Sequence, residues 1–309
     1  LLIKDILQPD QVVRMSRFGT SFVIDTRERC ERRLPGAVAS DEERIRSGEV
    51  CRYNQTDATR GQFLSADFSW AAKALGGNTS FMRFQSTYHT YYKVGGAARG
   101  TVLAGNLTVG LAQLFNVRDR NGNGTIDDFD RLLPISERFF SGGSTTLRGF
   151  PFEEAGPRQV IVPQGDFRNR QGDVIRLNPF TVPIGGNAMV VSNLEARVPV
   201  SRDVQVVPFY DGGNVFRSIS DIFHPKLITP TGNFVQDVNL QNLRARWTHT
   251  VGIGFRFKTP LGGALAVDYG YLLNPPEFLI PQNLNTISPT TSVFRLHQGQ
   301  FQFRFTQTF

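Results

Sequence analysis

The sequence predicts an all-β fold, an antiparallel β-barrel that crosses a membrane with its strands. The first observation is a strict alternation of apolar with polar or charged side chains, which runs for about ten residues at a time and recurs about nine times. The second is composition, because 30 Gly and 26 Phe together with frequent Thr, Val and Tyr favour short strands joined by turns. The third is that short turns alternate with long connections, which is typical of outer-membrane barrels.

The expected strands follow one another along most of the chain. In the second of them Asp67 stands between Ala66 and Phe68, so the two faces differ in polarity. A water-soluble β-sandwich shows the same periodicity, and we favour the barrel because the strands are long and carry aromatic residues towards their ends. The strands are expected at residues 14–27, from 61, and at 82–94, 101–114, 187–200, 204–215, 247–259, 264–272 and 300–309, with long connections at 116–186, 217–246 and 275–297.

Composition narrows the class of protein further. The chain is 40% hydrophobic and 20% charged, and no uncharged apolar stretch is long enough for a membrane helix. The net charge of +7 is spread along the chain rather than clustered, so we expect no nucleic-acid partner. The chain begins at Leu1 without an initiator Met or a signal peptide. We therefore expect residues 1–309 to be one barrel domain cut from a longer protein.

The two cysteines, Cys30 and Cys51, lie in one polar stretch with no histidine nearby, so the spacing of a metal site is absent. Two alternatives stay open at this point. Either the pair forms a local disulfide in an oxidising compartment, or both are free thiols.

Two motifs carry a family resemblance. The longest connection contains GGSTTLRGF at residues 142–150, and a later strand contains FYDGGNVF at residues 209–216. They resemble the hallmarks of the BamA/TamA superfamily of outer-membrane assembly factors, in which an Arg-Gly-[Phe/Tyr] loop folds into the barrel lumen and meets an inward acidic residue. The resemblance implies a loop anchor made of Arg148, Gly149, Phe150 and Asp211. The alternative is a mobile Gly/Ser-rich loop with an incidental arginine.

Other parts of the chain resemble the same superfamily. Asp25-Thr26-Arg27 followed by Thr59-Arg60-Gly61 is similar to a turn of the family, although Glu28 replaces its second acid and an insertion holds both cysteines. Near the end, a row of Phe residues shares one parity and resembles the terminal β-signal of outer-membrane proteins. We expect seam or β-signal roles for Gly299, Phe305 and Phe309.

The resemblance extends from about residue 14 to the end of the chain. It implies that these are the last nine strands of a sixteen-stranded barrel. It also implies that the other strands and periplasmic POTRA domains precede Leu1.

The long connection also contains a calcium-loop pattern, DRNGNGTIDDFD, at residues 119–130. Its oxygen ligands would converge on one hard cation while Gly124 allows a sharp turn and Ile126 packs inward. The final position is Asp rather than Glu, which reaches less far, and the alternative is an acidic, glycine-rich loop that holds no ion. The expected calcium ligands are Asp119, Asn121, Asn123, Thr125 and Asp130.

The resemblance implies a protein without covalent chemistry that inserts and folds β-barrel clients in the bacterial outer membrane through a lateral seam. The expected partners are unfolded outer-membrane protein clients, outer-membrane lipids, and periplasmic or lipoprotein accessory subunits. The alternative is a translocation pore of the two-partner secretion branch.

An outer-membrane enzyme and a simple porin are further alternatives. No Gly-x-Ser-x-Gly sequence is present and the four histidines lie apart in the sequence, so we expect no enzyme activity. The loop with Arg148 argues against an open porin lumen.

Overall fold

The computed structural model describes residues 13–32, 40, 43–46, 48–95, 100–119, 124–126, 130–161, 167–168, 171, 174–175, 180–201, 203–224, 246–258, 263–282 and 290–307. Strands dominate these residues. Besides them there is one helical turn, α1 (Ser220–Phe223), and short 3-10 turns occur at Lys73–Leu75 and Ile135–Glu137. The strands are β1 (Arg17–Asp25), β2 (Glu28–Arg32), β3 (Arg44–Arg46), β4 (Glu49–Tyr53), β5 (Gly61–Ala71), β6 (Ser80–Lys93), β7 (Val102–Phe115), β8 (Arg158–Ile161), β9 (Phe167–Arg168), β10 (Val174–Ile175), β11 (Phe180–Pro183), β12 (Ala188–Pro199), β13 (Val204–Phe216), β14 (Thr248–Lys258), β15 (Gly263–Leu272), β16 (Glu277–Gln282), β17 (Thr290–Arg295) and β18 (Gly299–Gln307).

One antiparallel sheet of nine strands forms the body of the molecule, in the order β1-β5-β6-β7-β12-β13-β14-β15-β18. Its members are the nine strands that the alternating pattern predicts, so the all-β barrel prediction is confirmed. Each strand pairs with the next member of the sheet along the chain, as in an up-and-down barrel wall. Within the described residues the sheet is not closed, and β1 and β18 are its two edges.

The register places polar side chains in rows across the inner, concave face. Asn193 lies opposite both Asn106 and Asp211, and Asp211 in turn lies opposite Thr250. The outer face carries apolar side chains instead, among them Phe301, Phe303 and Phe305, whose exposed fractions are 61%, 69% and 57%. Such a row in water would favour aggregation, whereas a lipid bilayer solvates it.

The two ends of the sheet differ. At the loop end, the connections 116–187, 217–247 and 273–298 are long, and at the turn end, 94–101, 200–203 and 259–262 are short. The expected alternation has two exceptions. The connection 72–79 at the loop end is short, and the insertion 26–60 at the turn end is long. The sequence pattern therefore missed that a folded insertion occupies the end of the short turns.

This insertion forms a small three-stranded sheet of its own, in the order β2-β4-β3. Cys30 and Cys51 lie opposite each other on β2 and β4, and their sulfurs are joined in a disulfide. The side chains of both cysteines are buried. Of the two alternatives left open by the sequence, the structure contains the disulfide.

The connection between β7 and β12 is called the inner loop below, and its described residues 130–150 fold back over the concave face of the sheet. Its residues Leu133, Phe139, Leu147 and Phe150 are buried in one apolar cluster with inward side chains of the strands, such as Val191. The loop also carries the small pair β8 and β11. In the part of the chain described here, none of the helices has the length and apolar character needed to cross a membrane.

Candidate functional site

The anchor of the inner loop is the ion pair between Arg148 and Asp211. The guanidinium donates from Nε to Asp211 Oδ2 at 2.9 Å and from Nη2 to Oδ1 at 2.6 Å. The backbone N–H of Arg148 also donates to Oδ2, at 3.0 Å. Arg148 is 3% exposed and Asp211 is fully buried, so the pair is shielded from water. A bidentate bond to a planar guanidinium fixes both distance and orientation.

The pair belongs to a larger charge network on the inner face. Arg148 Nη1 donates to Glu195 Oε1 at 2.6 Å, and the guanidinium lies over the ring of Phe209, 3.5 Å from its centroid. Asn193 Nδ2 donates to Asp211 Oδ1 at 2.8 Å and so holds the carboxylate from the other side. The resulting arrangement satisfies a charge that would otherwise be costly to bury.

Further arginines balance the remaining carboxylates of the network. Arg197 Nε donates to Glu195 Oε2 at 3.0 Å, and Arg256 Nη1 donates to Asp268 Oδ1 at 2.5 Å. The network therefore alternates arginine and carboxylate across β12, β13, β14 and β15. Arg148 of the inner loop is one more arginine in this alternating network.

Glycines let the inner loop approach the sheet. A Cβ atom on Gly149 would lie 2.5 Å from Thr250 Oγ1 and 2.8 Å from Leu272 Cγ. On the facing strand, a Cβ atom on Gly270 would lie 2.8 Å from the carbonyl oxygen of Arg148. The loop backbone thus contacts β15 directly, with no room for a side chain on either side.

The tip of the inner loop is also bonded to the last strand. Phe150 is 1% exposed in the apolar cluster, and its carbonyl accepts a hydrogen bond from Gln302 Nε2 at 2.7 Å. Arg304 Nη1 donates to the carbonyl of Ser144 at 3.2 Å. Because Gln302 and Arg304 both lie on β18, the loop connects the interior of the wall to the edge of the sheet.

The structure brings together all four predicted anchor residues, and it adds members that motif reasoning missed. Glu195, Arg256 and Asp268 belong to the network, and Gln302 and Arg304 hold the loop to β18. Their inward parity in the alternating pattern was the available signal. That parity places a charge inside the barrel, but it does not say which inward charges meet.

The predicted seam residues lie at or near β18. Gly299 begins this strand opposite Tyr271, and a Cβ atom there would lie 2.4 Å from Tyr269 Oη. Phe305 lies on the outer face and is 57% exposed. Phe309 lies outside the described residues, and the seam role of all three stays a prediction.

The calcium-loop pattern is described only in part, because Asn121 and Asn123 lie outside the described residues. Asp119 Oδ2 accepts a hydrogen bond from the N–H of Gly124 at 2.7 Å, and Gly124 has a φ of 80°, the left-handed conformation that glycine adopts easily. Asp130 is 1% exposed. Ile126 is 53% exposed, so the expectation that it packs inward is wrong. Calcium binding stays a prediction.

The turn that resembles the family's Asp-x-Arg motif joins β1 to the insertion. Arg27 binds Asp25 in a bidentate manner, at 2.9 Å from Nε and 2.6 Å from Nη2, and Tyr53 Oη donates to the same carboxylate at 2.7 Å. The hydrogen bond to Asp25 raises the pKa of Arg27 above its ordinary value. Gly61 has a φ of 96°, and a Cβ atom there would lie 2.0 Å from the carbonyl oxygen of Thr26. The glycine is therefore required where the chain closes the insertion.

Glu28 lies close to Cys30 and Cys51, a grouping of residue types that could hold a metal. Both sulfurs are used in the disulfide, so neither offers a thiolate ligand.

A meander of antiparallel strands with an apolar outer face, and a loop anchored on its inner face, is the arrangement of a transmembrane β-barrel protein. The sequence matches the Omp85 superfamily domain over residues 52–309, and the chain belongs to this superfamily. The resemblance to the BamA/TamA superfamily is thereby confirmed. At the level of the family, membership supports a role in outer-membrane protein insertion or secretion.

Among solved structures, the chain is similar to the crystal structure of BamA from Haemophilus ducreyi lacking POTRA domains 1–3. The TM-score is 0.51 at 17% sequence identity, and the match covers 82% of this chain and 40% of that chain. At this identity the likeness shows the fold alone. The chain spans less than half the length of that structure.

Proposed function

We propose that this chain is the C-terminal barrel portion of an outer-membrane assembly factor that folds β-barrel clients into the bacterial outer membrane. No covalent chemistry is needed for this task. The protein would lower the barrier by presenting an unpaired strand edge, since exposed N–H and C=O groups pair with an incoming strand. Unfolded client proteins and outer-membrane lipids are the partners, together with periplasmic or lipoprotein accessory subunits.

The observation that carries the proposal is the bonding of the inner loop to β18. Gln302 and Arg304 hold the loop tip from this edge strand, while Asp211 holds Arg148 from the wall. A strand that must release and re-form its edge pairing has to be held in place by another part of the barrel. The anchored inner loop would hold β18 in register while the edge of β18 that faces away from β15 is unpaired.

A translocation pore is the alternative within the same family. A pore must pass an extended chain through the lumen, and the inner loop occupies the concave face with an apolar cluster that includes Phe139, Leu147 and Phe150. Lateral handling of clients leaves this cluster intact, whereas transport through the lumen requires its removal. The apolar cluster therefore favours assembly at the seam.

The test uses the full protein reconstituted in liposomes with an unfolded β-barrel client. Folded client is measured over time by its heat-modifiable migration in gel electrophoresis. We expect Arg148→Ala to slow client assembly several-fold, because the loop loses the bonds of its guanidinium group to Asp211 and Glu195. Arg148→Lys keeps the charge without the bidentate geometry and should give an intermediate rate.

Arg295→Ala is the matched control. Arg295 pairs with Glu277 at 2.6 Å outside the barrel wall, and its side chain is 60% exposed. Its loss should leave the assembly rate unchanged. An Arg148→Ala protein that folds and assembles clients at the wild-type rate would refute the proposal.

A further inference from the structure

The insertion 26–60 contacts a strand, β14, that lies far from its own position in the sheet. It leaves the sheet between β1 and β5, yet it contacts the turn-end residues of β6 and β14. Lys93, the last residue of β6, donates to the carbonyl of Cys30 at 3.0 Å and to Glu49 Oε1 at 2.6 Å. Lys258, the last residue of β14, pairs with Asp57 at 3.3 Å.

These contacts show that the insertion spans the concave side of the sheet. β6 and β14 are separated in the sheet by β7, β12 and β13. An insertion that hung away from its own hairpin could not reach Lys258. It therefore lies across the turn end of the lumen, from one part of the wall to another.

A cavity of about 480 Å³ lies between the insertion and the inner loop. Thr56 and Asp57 of the insertion line it on one side, and Ser144 and Arg148 of the loop tip line it on the other. Charged side chains of the strands, such as Arg197, complete the lining. The two inserts thus enter the lumen from opposite ends and bound the same polar space.

A disulfide and several ion pairs cross-link the insertion and hold it in one shape. The disulfide joins β2 to β4, and the bidentate pair of Arg27 with Asp25 fixes its attachment to β1. Arg29 pairs with Asp57 and holds the segment after β4 against β2. A cross-linked small sheet can keep its shape without a large apolar core.

We propose that the described part of the insertion, residues 26–32, 40, 43–46 and 48–60, is a disulfide-stapled plug that closes the turn end of the lumen to ions. Two ion pairs, Glu49 with Lys93 and Asp57 with Lys258, hold the plug against the wall. The inner loop closes the other end, so the barrel keeps a polar interior without leaking. This inference concerns permeability and holds whether or not the protein assembles clients.

The test is the electrical conductance of the full protein in planar lipid bilayers. The paired change Glu49→Gln with Asp57→Asn removes both charges that hold the plug. We expect its mean conductance to rise several-fold above that of the wild-type protein. The control is Glu31→Gln, a change of the same type in the same insertion, because the Glu31 side chain is 66% exposed and pairs with Arg29 of the insertion itself rather than with the wall. This control should conduct as the wild type does.

A second variant, Cys30→Ser with Cys51→Ser, tests the staple. It should raise the fraction of time spent in the conducting state, since the plug then keeps its charges but loses its cross-link. Heat-modifiable migration checks that each barrel is folded before it is measured. If the wild type and the charge variant have equal conductance, the insertion is not a plug. If the cysteine variant spends the same fraction of time in the conducting state as the wild type, the disulfide does not stabilise the plug. Client assembly measured in parallel is a separate readout, so failure of one proposal leaves the other standing.

Discussion

The inner loop and the insertion 26–60 both fold against the lumen, but they are held by different chemistry. The loop is held by an apolar cluster and by a buried ion pair in which Arg148 is 3% exposed. In the insertion, the buried apolar residues described are Cys30, Cys51 and Ala58. Its ion pairs are partly exposed, as the 34% and 30% exposed side chains of Lys258 and Asp57 show.

One lumen therefore holds two elements, of which the inner loop is bound more firmly than the insertion. Buried pairs are little screened by salt and costly to break, whereas partly exposed pairs are weaker and are screened further as ionic strength rises. The loop is therefore the permanent element. The insertion depends on its disulfide and on the ionic conditions outside the membrane.

The largest effect is expected at the buried pair. Asp211→Ala removes the bidentate partner of Arg148 and leaves it with Glu195 and the more distant Asp268. Removing one partner of a buried pair costs about 3–5 kcal/mol. Unfolding of the barrel in urea, followed by heat-modifiable migration, should show that the free energy of unfolding falls by an amount of that order. Glu277→Ala removes an exposed carboxylate bonded to Arg295 and should cost about 0–1 kcal/mol. If both variants lost the same free energy of unfolding, the buried pair would contribute no more to stability than the exposed one.

The disulfide should have the next largest effect, confined to the insertion. Cys30→Ser with Cys51→Ser removes a cross-link with a sequence separation of 21 residues. A cross-link of that length contributes about 3 kcal/mol in the chain-entropy description. Trypsin should then cleave within the insertion, at sites such as Arg44 and Arg52, while the barrel strands stay protected. Cleavage of the inner loop at the same rate would show that the two elements are not independent.

A smaller effect is expected where the loop backbone meets the sheet. Gly149→Ala places a methyl group within contact of Thr250 and Leu272, and overpacking of this kind costs about 1–3 kcal/mol. Gly95→Ala is the control, because none of the described atoms lies within 4 Å of a Cβ atom there. The free energies of unfolding of the two variants, measured in urea, should differ by that amount. Equal stability would mean that the loop moves away from β15 at little cost.

The smallest effect is expected from calcium. If the predicted loop binds the ion, calcium should raise the melting temperature slightly, because a ligand stabilises by mass action in proportion to the logarithm of its saturation. Asp119→Asn should remove that shift, since Asp119 holds the first position of the pattern. Isothermal titration with calcium against magnesium measures the binding directly. Absence of calcium-dependent heat in the wild-type protein would leave the segment an acidic loop.

The fold was predictable from the sequence because each strand carries its own signal. A period of two over about ten residues marks a strand with one polar and one apolar face, and the nine strands of the sheet follow that pattern. The pairing of Arg148 with Asp211 came from a family resemblance rather than from periodicity. Periodicity says that Asp211 points inward, and nothing in it selects Arg148 as the partner.

The position of the insertion could not be predicted in the same way. Its contacts with Lys93 and Lys258 join residues that are distant in sequence, and they depend on the curvature of the whole sheet. The disulfide stayed one of two alternatives, because spacing alone does not say whether two cysteines face each other. The register of β2 with β4, which places Cys30 opposite Cys51, is what decided it.

The bonds between β18 and the inner loop have a consequence for how the molecule can vary. Gln302 and Arg304 donate to the main-chain carbonyls of Phe150 and Ser144. Every residue type offers that carbonyl, so position 144 can change its side chain while the bond from Arg304 persists. Paired substitutions across this contact are therefore not required, and a search for correlated changes between the loop and the last strand would miss it. This contact between the loop and β18 therefore depends on the side chains of the two donors, Gln302 and Arg304, and on no particular side chain of the loop.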